Sequence, residues 1–183
     1  MNKKKPVILV DPYPRTMDLI FSNLNLKYLK QNFNLVLSPK KNKKHFYEKN
    51  LPNAEYIFGQ PNLPTSLISK SIKLKAIFNV ESNFMDNMDY EYCFKNGIHV
   101  LATSPVFAQP VAEMALGLTL SIARSIHIAH SDFVLNKEKY GGAISQRNFL
   151  LKNKTFGLIG FGDLAKSLTP LLKVFSKEIL AYD

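Results

Sequence analysis

Short apolar segments alternate along this chain with longer amphipathic or polar ones, and this alternation restricts its fold more than any other feature. Five segments of four to six residues are rich in β-formers: Val7–Val10, Phe33–Leu37, Ala54–Gly59, Leu74–Phe78 and Ile98–Leu101. Such alternation is typical of repeated β-α units around a parallel sheet, whose strands are buried on both faces. The sequence therefore predicts a doubly wound α/β domain in its first hundred residues.

A long apolar segment follows this domain. It predicts a helix from Pro110 to about His127, and an irregular arm follows the helix. The apolar side chains of the helix lie nearly all round it: Val111, Met114, Leu116, Leu118, Leu120 and Ile122. A helix of this kind is expected to be buried. The apolar run is interrupted by Gln109 and Glu113 and is at the short end of the ~20 residues that cross a membrane, so we interpret it as a core helix.

A glycine-rich turn follows the next apolar segment, Thr155–Ile159, and precedes a helical pattern that reaches about Phe175. The turn reads Gly160-x-Gly162-x-x-Ala165, the spacing found where dinucleotides bind. Gly160 permits the tight turn, Gly162 lets a pyrophosphate approach the backbone, and Ala165 allows close packing of helix and strand. We therefore predict a cofactor site formed by the whole turn: Gly160, Phe161, Gly162, Asp163, Leu164 and Ala165.

An acidic residue stands at the end of the following apolar strand. Asp183 comes 21 residues after Gly162, close to the ~20 expected for a carboxylate that binds the ribose hydroxyls of the cofactor. A carboxylate there favours NAD over NADP, because it would repel a 2′-phosphate. The predicted cofactor is NAD.

Composition is that of an ordinary globular protein, with 46% hydrophobic and 21% charged residues among 183. The one cysteine, Cys93, cannot form an internal disulfide, so a reducing cytoplasm is expected. The apolar stretch after Lys5 is too short for a signal peptide. No spacing of metal ligands stands out, and no metal site is predicted.

The net charge of +10 is concentrated at the start of the chain, where residues 1–50 hold 11 basic and 3 acidic side chains. Two lysine clusters, residues 3–5 and 40–44, could contact the phosphates of a nucleic acid. The other interpretation is a solvated helix face and a frayed terminus. We favour the second, because no interleaved aromatic residues or nucleic-acid motif accompany the lysines.

Several ordered motifs together resemble the D-isomer-specific 2-hydroxyacid dehydrogenase family, which includes phosphoglycerate dehydrogenases and glyoxylate/hydroxypyruvate reductases. They are Leu74–Asp89, Gly97–Val100, Pro110–Glu113 with its helix, and Lys154–Gly162. The resemblance implies a flavodoxin-like substrate domain, residues 1–102, followed by the first part of a Rossmann NAD-binding domain, residues 103–183. The second part would include the interdomain helix 110–127 and the arm 128–150. The active site would lie in the cleft between the domains.

The resemblance also implies where the substrate binds. In the family, the loop after the fourth strand binds the substrate carboxylate through backbone N–H groups, with Gly-x-Gly before Asp-Asn-x-Asp. Here Asp86-Asn87-Met88-Asp89 is present, but the glycines are replaced. We take Ser82, Asn83 and Phe84 as the candidate substrate-binding residues, and an ordinary turn remains the other interpretation. Which 2-hydroxy acid binds is left open.

The family's arginine, acid and histidine would all lie beyond Asp183, so no catalytic residue is assigned, and we expect an amino-terminal fragment of a longer enzyme. We interpret His45, His99, His127 and His130 as surface or packing residues. By resemblance the complete form is a homodimer, joined through residues 110–150. The function expected is NAD-dependent reduction of a small 2-keto acid, with no nucleic acid or membrane partner. The alternative is a non-catalytic dinucleotide-binding or interaction module on the same scaffold.

Overall fold

The computed structural model describes residues 4–142 and 148–183, which belong to two compact units, Met1–Thr103 and Ser104–Asp183. The first unit is a parallel five-stranded sheet with helices. Its strands are β1 (Val7–Asp11), β2 (Asn34–Leu37), β3 (Tyr56–Gly59), β4 (Ala76–Phe78) and β5 (His99–Leu101). Its helices are α1 (Met17–Ile20), α2 (Asn23–Asn32), α3 (Lys43–Asn50), α4 (Thr65–Ile68) and α5 (Tyr90–Lys95).

The strands are ordered β2-β1-β3-β4-β5, and all neighbours are parallel. This is the flavodoxin-like order, so the predicted α/β class is confirmed. The main core lies on the sheet face where α3 and α5 pack, because alternate strand residues point to that side. Its members include Leu9, Tyr47, Ile57, Ile77 and Cys93.

A close backbone approach fixes the spacing at the carboxyl ends of β1 and β3. Gly59 pairs with Asp11 across the two strands and has a φ of 141°. A Cβ atom at Gly59 would lie 2.3 Å from the carbonyl oxygen of Asp11. Only glycine fits this position, since a side chain would collide with the neighbouring strand.

The second unit contains α6 (Ser104–Ala123), α7 (Ile126–Val134), β6 (Lys154–Ile159), α8 (Asp163–Lys173) and β7 (Ser176–Tyr182). Strands β6 and β7 pair in parallel, and α8 connects them. This βαβ unit is the one with which a Rossmann domain begins.

The predicted limits of the long helix are wrong at both ends. Helix α6 begins at Ser104 and keeps Pro110 in its interior, at the cost of the hydrogen bond that a proline cannot donate. It ends at Ala123 because Ser125 adopts a left-handed conformation with φ 52°. The arm predicted for residues 128–150 is also partly wrong, since α7 continues to Val134. Residues 143–147 of that arm lie outside the described residues.

The prediction that this helix is buried is wrong as well. Its packed positions carry small side chains, Ala108, Ala112 and Ala123, and it lies against α8. Four of the large apolar residues face outward, since Val106, Met114, Leu118 and Ile122 are each more than half exposed. Leu116 and Leu120 are half-buried. Close packing of two helices favours small residues at the contact, which turns the larger ones to the opposite face. By length and composition alone, α6 could also cross a membrane, a weak criterion that core helices of soluble proteins meet too.

Candidate functional site

The glycine-rich turn joins β6 to α8. Gly160 has a φ of 89°, a left-handed conformation that glycine adopts without strain. Its N–H donates to the carbonyl oxygen of Tyr182 on β7 at 2.7 Å. This bond continues the β6–β7 pairing into the turn and fixes where the backbone leaves the sheet.

Gly162 is the N-cap residue of α8 and has an ordinary φ of −74°. A Cβ atom placed there would meet nothing within 4 Å. Neither backbone conformation nor packing within the described chain therefore requires glycine at this position. Its missing side chain instead leaves open the space over the helix start, as the approach of a bulky anion to the backbone requires.

Backbone donors are available at the same place. The first intrahelical bond of α8 runs from the Lys166 N–H to the Gly162 carbonyl oxygen at 3.0 Å. The three preceding N–H groups, of Asp163, Leu164 and Ala165, have no acceptor within the helix. The N-cap residue, Gly162, has no side chain with which to cap the helix, so these donors and the positive end of the helix dipole favour a bound anion.

The Asp163 carboxylate, by contrast, accepts a hydrogen bond from the Ser104 hydroxyl on α6. This bond ties the acidic side chain to the neighbouring helix. Asp163 thus offers its backbone N–H at the helix start, while its negative charge is engaged elsewhere.

Asp183 lies directly against the turn. Its Oδ1 accepts the backbone N–H of Phe161 at 3.0 Å. The second carboxylate oxygen, Oδ2, has no hydrogen bond to any residue the structure describes, so it can still accept one. The structure thus brings the sequence-predicted acid and the sequence-predicted turn together.

In the first unit, the loop after β4 is held by its neighbours. Glu81 pairs with Arg15, with 3.4 Å between Nε and Oε1. The Gln60 side chain donates to the carbonyl oxygen of Asn83 at 2.9 Å. These two contacts attach the loop to the segments that follow β1 and β3.

The segment Asp86–Asp89 closes this loop. The Asn87 side chain donates to the Pro61 carbonyl at 2.7 Å and accepts from the Tyr90 hydroxyl at 2.9 Å. Asp89 is the N-cap of α5 and accepts the Tyr92 N–H at 2.8 Å. Hydrogen bonds from the Thr65 hydroxyl and then from Tyr92 lower the pKa of Asp89. These polar residues hold the loop in shape.

The three candidate substrate-binding residues lie in the held loop. Ser82 is half-buried, whereas Asn83 and Phe84 are exposed. The Phe84 ring packs against the Tyr90 ring, with 5.1 Å between their centroids. The loop therefore presents one hydroxyl, one amide and one aromatic side chain where the family pattern has small glycines.

The sequence interpretation missed one buried polar network. Asp11 is 5% exposed at the end of β1, and its carboxylate accepts from the Lys43 ammonium at 2.9 Å and from the Tyr47 hydroxyl at 3.3 Å. Burial, followed by the nearby Asp11 charge, raises the pKa of Tyr47. An acid directly after a buried strand is the signal that could have revealed it, since such residues lie where parallel-sheet ligands bind.

The other titratable candidates behave as packing or surface residues. Cys93 is fully buried, and burial raises its pKa to about 11. All four histidines have exposed side chains: His45, His99, His127 and His130. Across residues 4–142 and 148–183, no group of three or more His, Cys, Asp or Glu side chains could hold a metal ion.

No protein-family model matches the chain. Individual curated proteins do. A hydroxypyruvate reductase of Thermotoga maritima is 38% identical over 99 residues, which are 54% of this chain and 31% of that protein. A glyoxylate reductase of Thermococcus litoralis is 32% identical over 121 residues, 63% of this chain and 36% of that protein.

Solved structures match nearly the whole chain. A phosphoglycerate oxidoreductase from Rhizobium etli is 38% identical, with a TM-score of 0.82, over 98% of this chain and 56% of that one. D-lactate dehydrogenase from Aquifex aeolicus, in complex with NAD and lactic acid, has a TM-score of 0.66 at 20% identity, over 97% of this chain and 51% of that one. The second match shows the fold alone.

The chain spans about half the length of the proteins whose structures it matches. The curated proteins that it matches are named as reductases of hydroxypyruvate and glyoxylate and as a 2-hydroxyacid dehydrogenase. The chain is therefore similar to 2-hydroxyacid dehydrogenases over the part of their length that it covers.

Proposed function

We propose that this protein takes part in NAD-dependent oxidation and reduction of small 2-hydroxy and 2-keto acids. The observation that carries the proposal is the turn at Gly160–Ala165 with the Asp183 carboxylate held against it. In this proposal the first compact unit binds the substrate and the second binds the cofactor. The single, buried Cys93 supports a reducing cytoplasm as its compartment.

The residues of the turn fit NAD. The free N–H groups of Asp163, Leu164 and Ala165 would hold the pyrophosphate, and Gly162 leaves the space it needs. The free Oδ2 of Asp183 would accept a ribose hydroxyl, while Phe161 keeps the carboxylate in place. NAD, when bound, supplies the acceptor or donor of a hydride. Solved relatives are described as bound to NAD.

The substrate carboxylate would bind at the loop of Ser82, Asn83 and Phe84. Its backbone N–H groups and the Ser82 hydroxyl are the proposed donors, and the Phe84 ring supplies an apolar wall. The contacts of Arg15 and Gln60 keep the loop in one shape, which lowers the entropic cost of binding. Relatives named for hydroxypyruvate and glyoxylate support a small 2-keto acid as the substrate class.

A second candidate is a binding module without turnover. The hydrogen bonds of the candidate loop, as far as the structure describes them, come from arginine, amide, tyrosine and backbone groups. In this second candidate, none of these groups donates a proton to the keto oxygen of a substrate. The two candidates share NAD binding and differ in whether hydride is transferred.

The test is titration of the 183-residue protein with NADH, followed by nucleotide fluorescence, for the native chain and for Gly162→Val. Valine at Gly162 places its side chain in open space, so the fold should persist while the pyrophosphate is excluded. We expect saturable binding to the native chain and at least a ten-fold loss of affinity in the variant. Gly157→Ala on β6, where a Cβ atom also meets nothing within 4 Å, is the control and should bind NADH normally.

Equal NADH affinity in native chain and Gly162→Val, with both folded by circular dichroism, would refute the cofactor site. NADH oxidation in the presence of glyoxylate or hydroxypyruvate would support the dehydrogenase. Because the 183-residue chain is itself expected to be inactive, the two candidates are separated in the full-length protein from its native source. Tight NADH binding there without oxidation of NADH by either acid would support the binding module.

A homodimer through α6 is proposed as well. The outward stripe of Met114, Leu118 and Ile122 is an apolar surface of the kind that self-association covers. Leu118→Glu should then give a smaller species by light scattering after gel filtration than the native chain gives. Lys152→Glu, which changes an exposed polar position of the same unit, is the control. Identical masses for the native chain and Leu118→Glu would contradict the proposed interface.

A further inference from the structure

An asparagine stands at the end of α5 and is followed directly by a glycine. Asn96 and Gly97 are the one Asn-Gly pair in the sequence, and they connect α5 to Ile98 and β5. The side-chain amide of an asparagine can react with the backbone nitrogen of the next residue. Glycine hinders this attack least, because it has no Cβ atom. The most reactive asparagine sequence of the chain therefore lies at the junction of a helix and a strand.

The pair is open to solvent. Asn96 and Gly97 are both exposed on the surface of the first unit. Gly97 has a φ of 70°, and a Cβ atom placed there would meet nothing within 4 Å. Water therefore has access to the pair, and the space beside the Gly97 backbone is unoccupied on the side where another residue would carry its side chain.

Two hydrogen bonds engage the reacting groups while the turn is closed. The Asn96 side chain donates from Nδ2 to the Tyr92 carbonyl oxygen at 2.8 Å, and the Gly97 N–H donates to the Phe94 carbonyl oxygen at 3.2 Å. The reaction therefore starts when the last turn of α5 opens. Helix α5 has six residues, and the end of a short, exposed helix opens at a small cost in free energy.

We propose that Asn96 is a site of spontaneous deamidation and that this change weakens the junction between α5 and β5. The Gly97 nitrogen loses its proton to solvent and forms a bond to Cγ of Asn96. The side-chain nitrogen takes up a proton and leaves as ammonia, which closes a succinimide ring. A water molecule then opens the ring. Cleavage between nitrogen and Cγ gives aspartate, whereas cleavage between nitrogen and the main-chain carbonyl carbon gives isoaspartate, and neither path needs an oxidant or a reductant.

Both products fit this position less well than asparagine does. A carboxylate cannot donate to the Tyr92 carbonyl oxygen, and its charge lies at the negative end of the α5 dipole. Isoaspartate also adds a carbon atom to the main chain just before Ile98, which is buried and donates to the Cys93 carbonyl oxygen at 2.8 Å. Strand β5 follows and pairs with β4, so the change occurs beside the strand that leads into the candidate substrate loop.

The test is incubation of the native 183-residue protein in mildly alkaline buffer, followed by digestion and mass spectrometry of the peptides that contain asparagine. Asn32 is the matched control within the same molecule. It is exposed at the end of α2 and donates from Nδ2 to the Tyr28 carbonyl oxygen at 2.8 Å, but Phe33 follows it. We expect Asn96 to convert about ten times faster than Asn32, because the side chain of Phe33 hinders the attack.

Two variants and a synthetic peptide complete the test. Asn96→Gln should remove the acidic form that isoelectric focusing resolves after incubation, whereas Asn32→Gln should form it as the native chain does. The incubated native protein should have a lower urea midpoint than the fresh protein, and incubated Asn96→Gln should keep its own. A peptide of residues 91–99, incubated in parallel, shows that the conditions permit the reaction.

Two results would overturn the proposal. If Asn96 converts no faster than Asn32 while the synthetic peptide converts fully, Asn96 is not the site. If the urea midpoint is unchanged after Asn96 has converted, the change does not weaken the junction of α5 and β5. Neither result depends on NADH binding, which is measured at the turn in the other unit.

Discussion

The backbone N–H of Phe161 donates to the carboxylate of Asp183 at 3.0 Å, across the 22 residues that separate them in the chain. The bond connects the glycine-rich turn to the end of β7. It holds one carboxylate oxygen and leaves the other available. The sign and position of this charge lead to a prediction about which nicotinamide cofactor is preferred.

We expect NADH to bind at least ten times more tightly than NADPH, because the Asp183 carboxylate accepts a ribose hydroxyl and repels a 2′-phosphate. Asp183→Ser should lower NADH affinity by about ten-fold, the value of one hydrogen bond to a charged group, and should narrow the gap to NADPH. Fluorescence titration with both nucleotides measures this. Glu138→Ser, which changes an exposed acid elsewhere in the unit, is the control, and an unchanged NADH to NADPH ratio in Asp183→Ser would count against the assignment.

Gly59→Ala should destabilise the first unit strongly. The Cβ atom of an alanine would lie 2.3 Å from the Asp11 carbonyl oxygen, and residue 59 has a φ of 141°. Either β1 and β3 would move apart or residue 59 would change its φ and ψ angles. We expect a loss of more than about 2 kcal/mol in the free energy of unfolding, measured with urea. Gly97→Ala is the matched control: it also has a positive φ, 70°, but meets no atom within 4 Å, so it should lose only about 1 kcal/mol. Equal losses would mean that the close approach to Asp11 does not matter.

Asp89 should make the first unit sensitive to acid. Its pKa is lowered in the folded state by Thr65 and Tyr92, so the folded form binds its proton less readily than the unfolded form does. This contribution to stability is present above the unfolded pKa, about 4, and is lost as the pH falls through the folded pKa. Asp89→Asn keeps an N-cap side chain but cannot titrate.

The urea midpoint of the native chain should therefore fall more steeply below about pH 4 than that of Asp89→Asn. Asp86→Asn is the matched control, since Asp86 is an exposed acid of the same segment, and it should follow the native curve. If the Asp89→Asn and native curves are parallel at all pH values, the hydrogen bonds at Asp89 do not stabilise its charged form.

Cys93 should be unreactive in the native protein at neutral pH. It is fully buried, and its pKa of about 11 leaves almost no thiolate, which is the nucleophilic form. An aromatic disulfide reagent should release colour only after urea is added, with one equivalent per chain. Rapid reaction without urea would show that α5 opens readily or that the thiol is accessible.

Most of the fold could be predicted from the sequence, because each strand is a short apolar run and each run is bounded by polar residues. Helix α6 shows where this reasoning fails. Its apolar residues lie all round, so their pattern does not indicate which face of the helix packs. The buried positions carry the small residues Ala108 and Ala112, and the helix lies against α8. The sequence predicts a start at Pro110, because a proline is favoured at the first turn of a helix. The helix instead begins at Ser104, and Pro110 lies in its interior.

The candidate site was predictable to a similar extent. The distance in sequence between the turn and Asp183 is the one expected when both contact the same dinucleotide, and the structure brings them within hydrogen-bond distance. The contacts of Asp11 with Lys43 and Tyr47, and of Arg15 with Glu81, join residues 32 to 66 positions apart. Such pairs arise from the order of the strands, which no local pattern specifies.

The contact between Gly59 and Asp11 fixes how far apart β1 and β3 lie at their carboxyl ends. Backbone atoms of the two strands meet there without any side chain between them, so the main chain alone sets this distance. Substitutions at Lys43, Tyr47 or Gln60 would change the polar groups beside the strand ends while the distance between the strands stays constant. Geometry and chemistry are thus carried by different parts of the chain at this edge of the sheet.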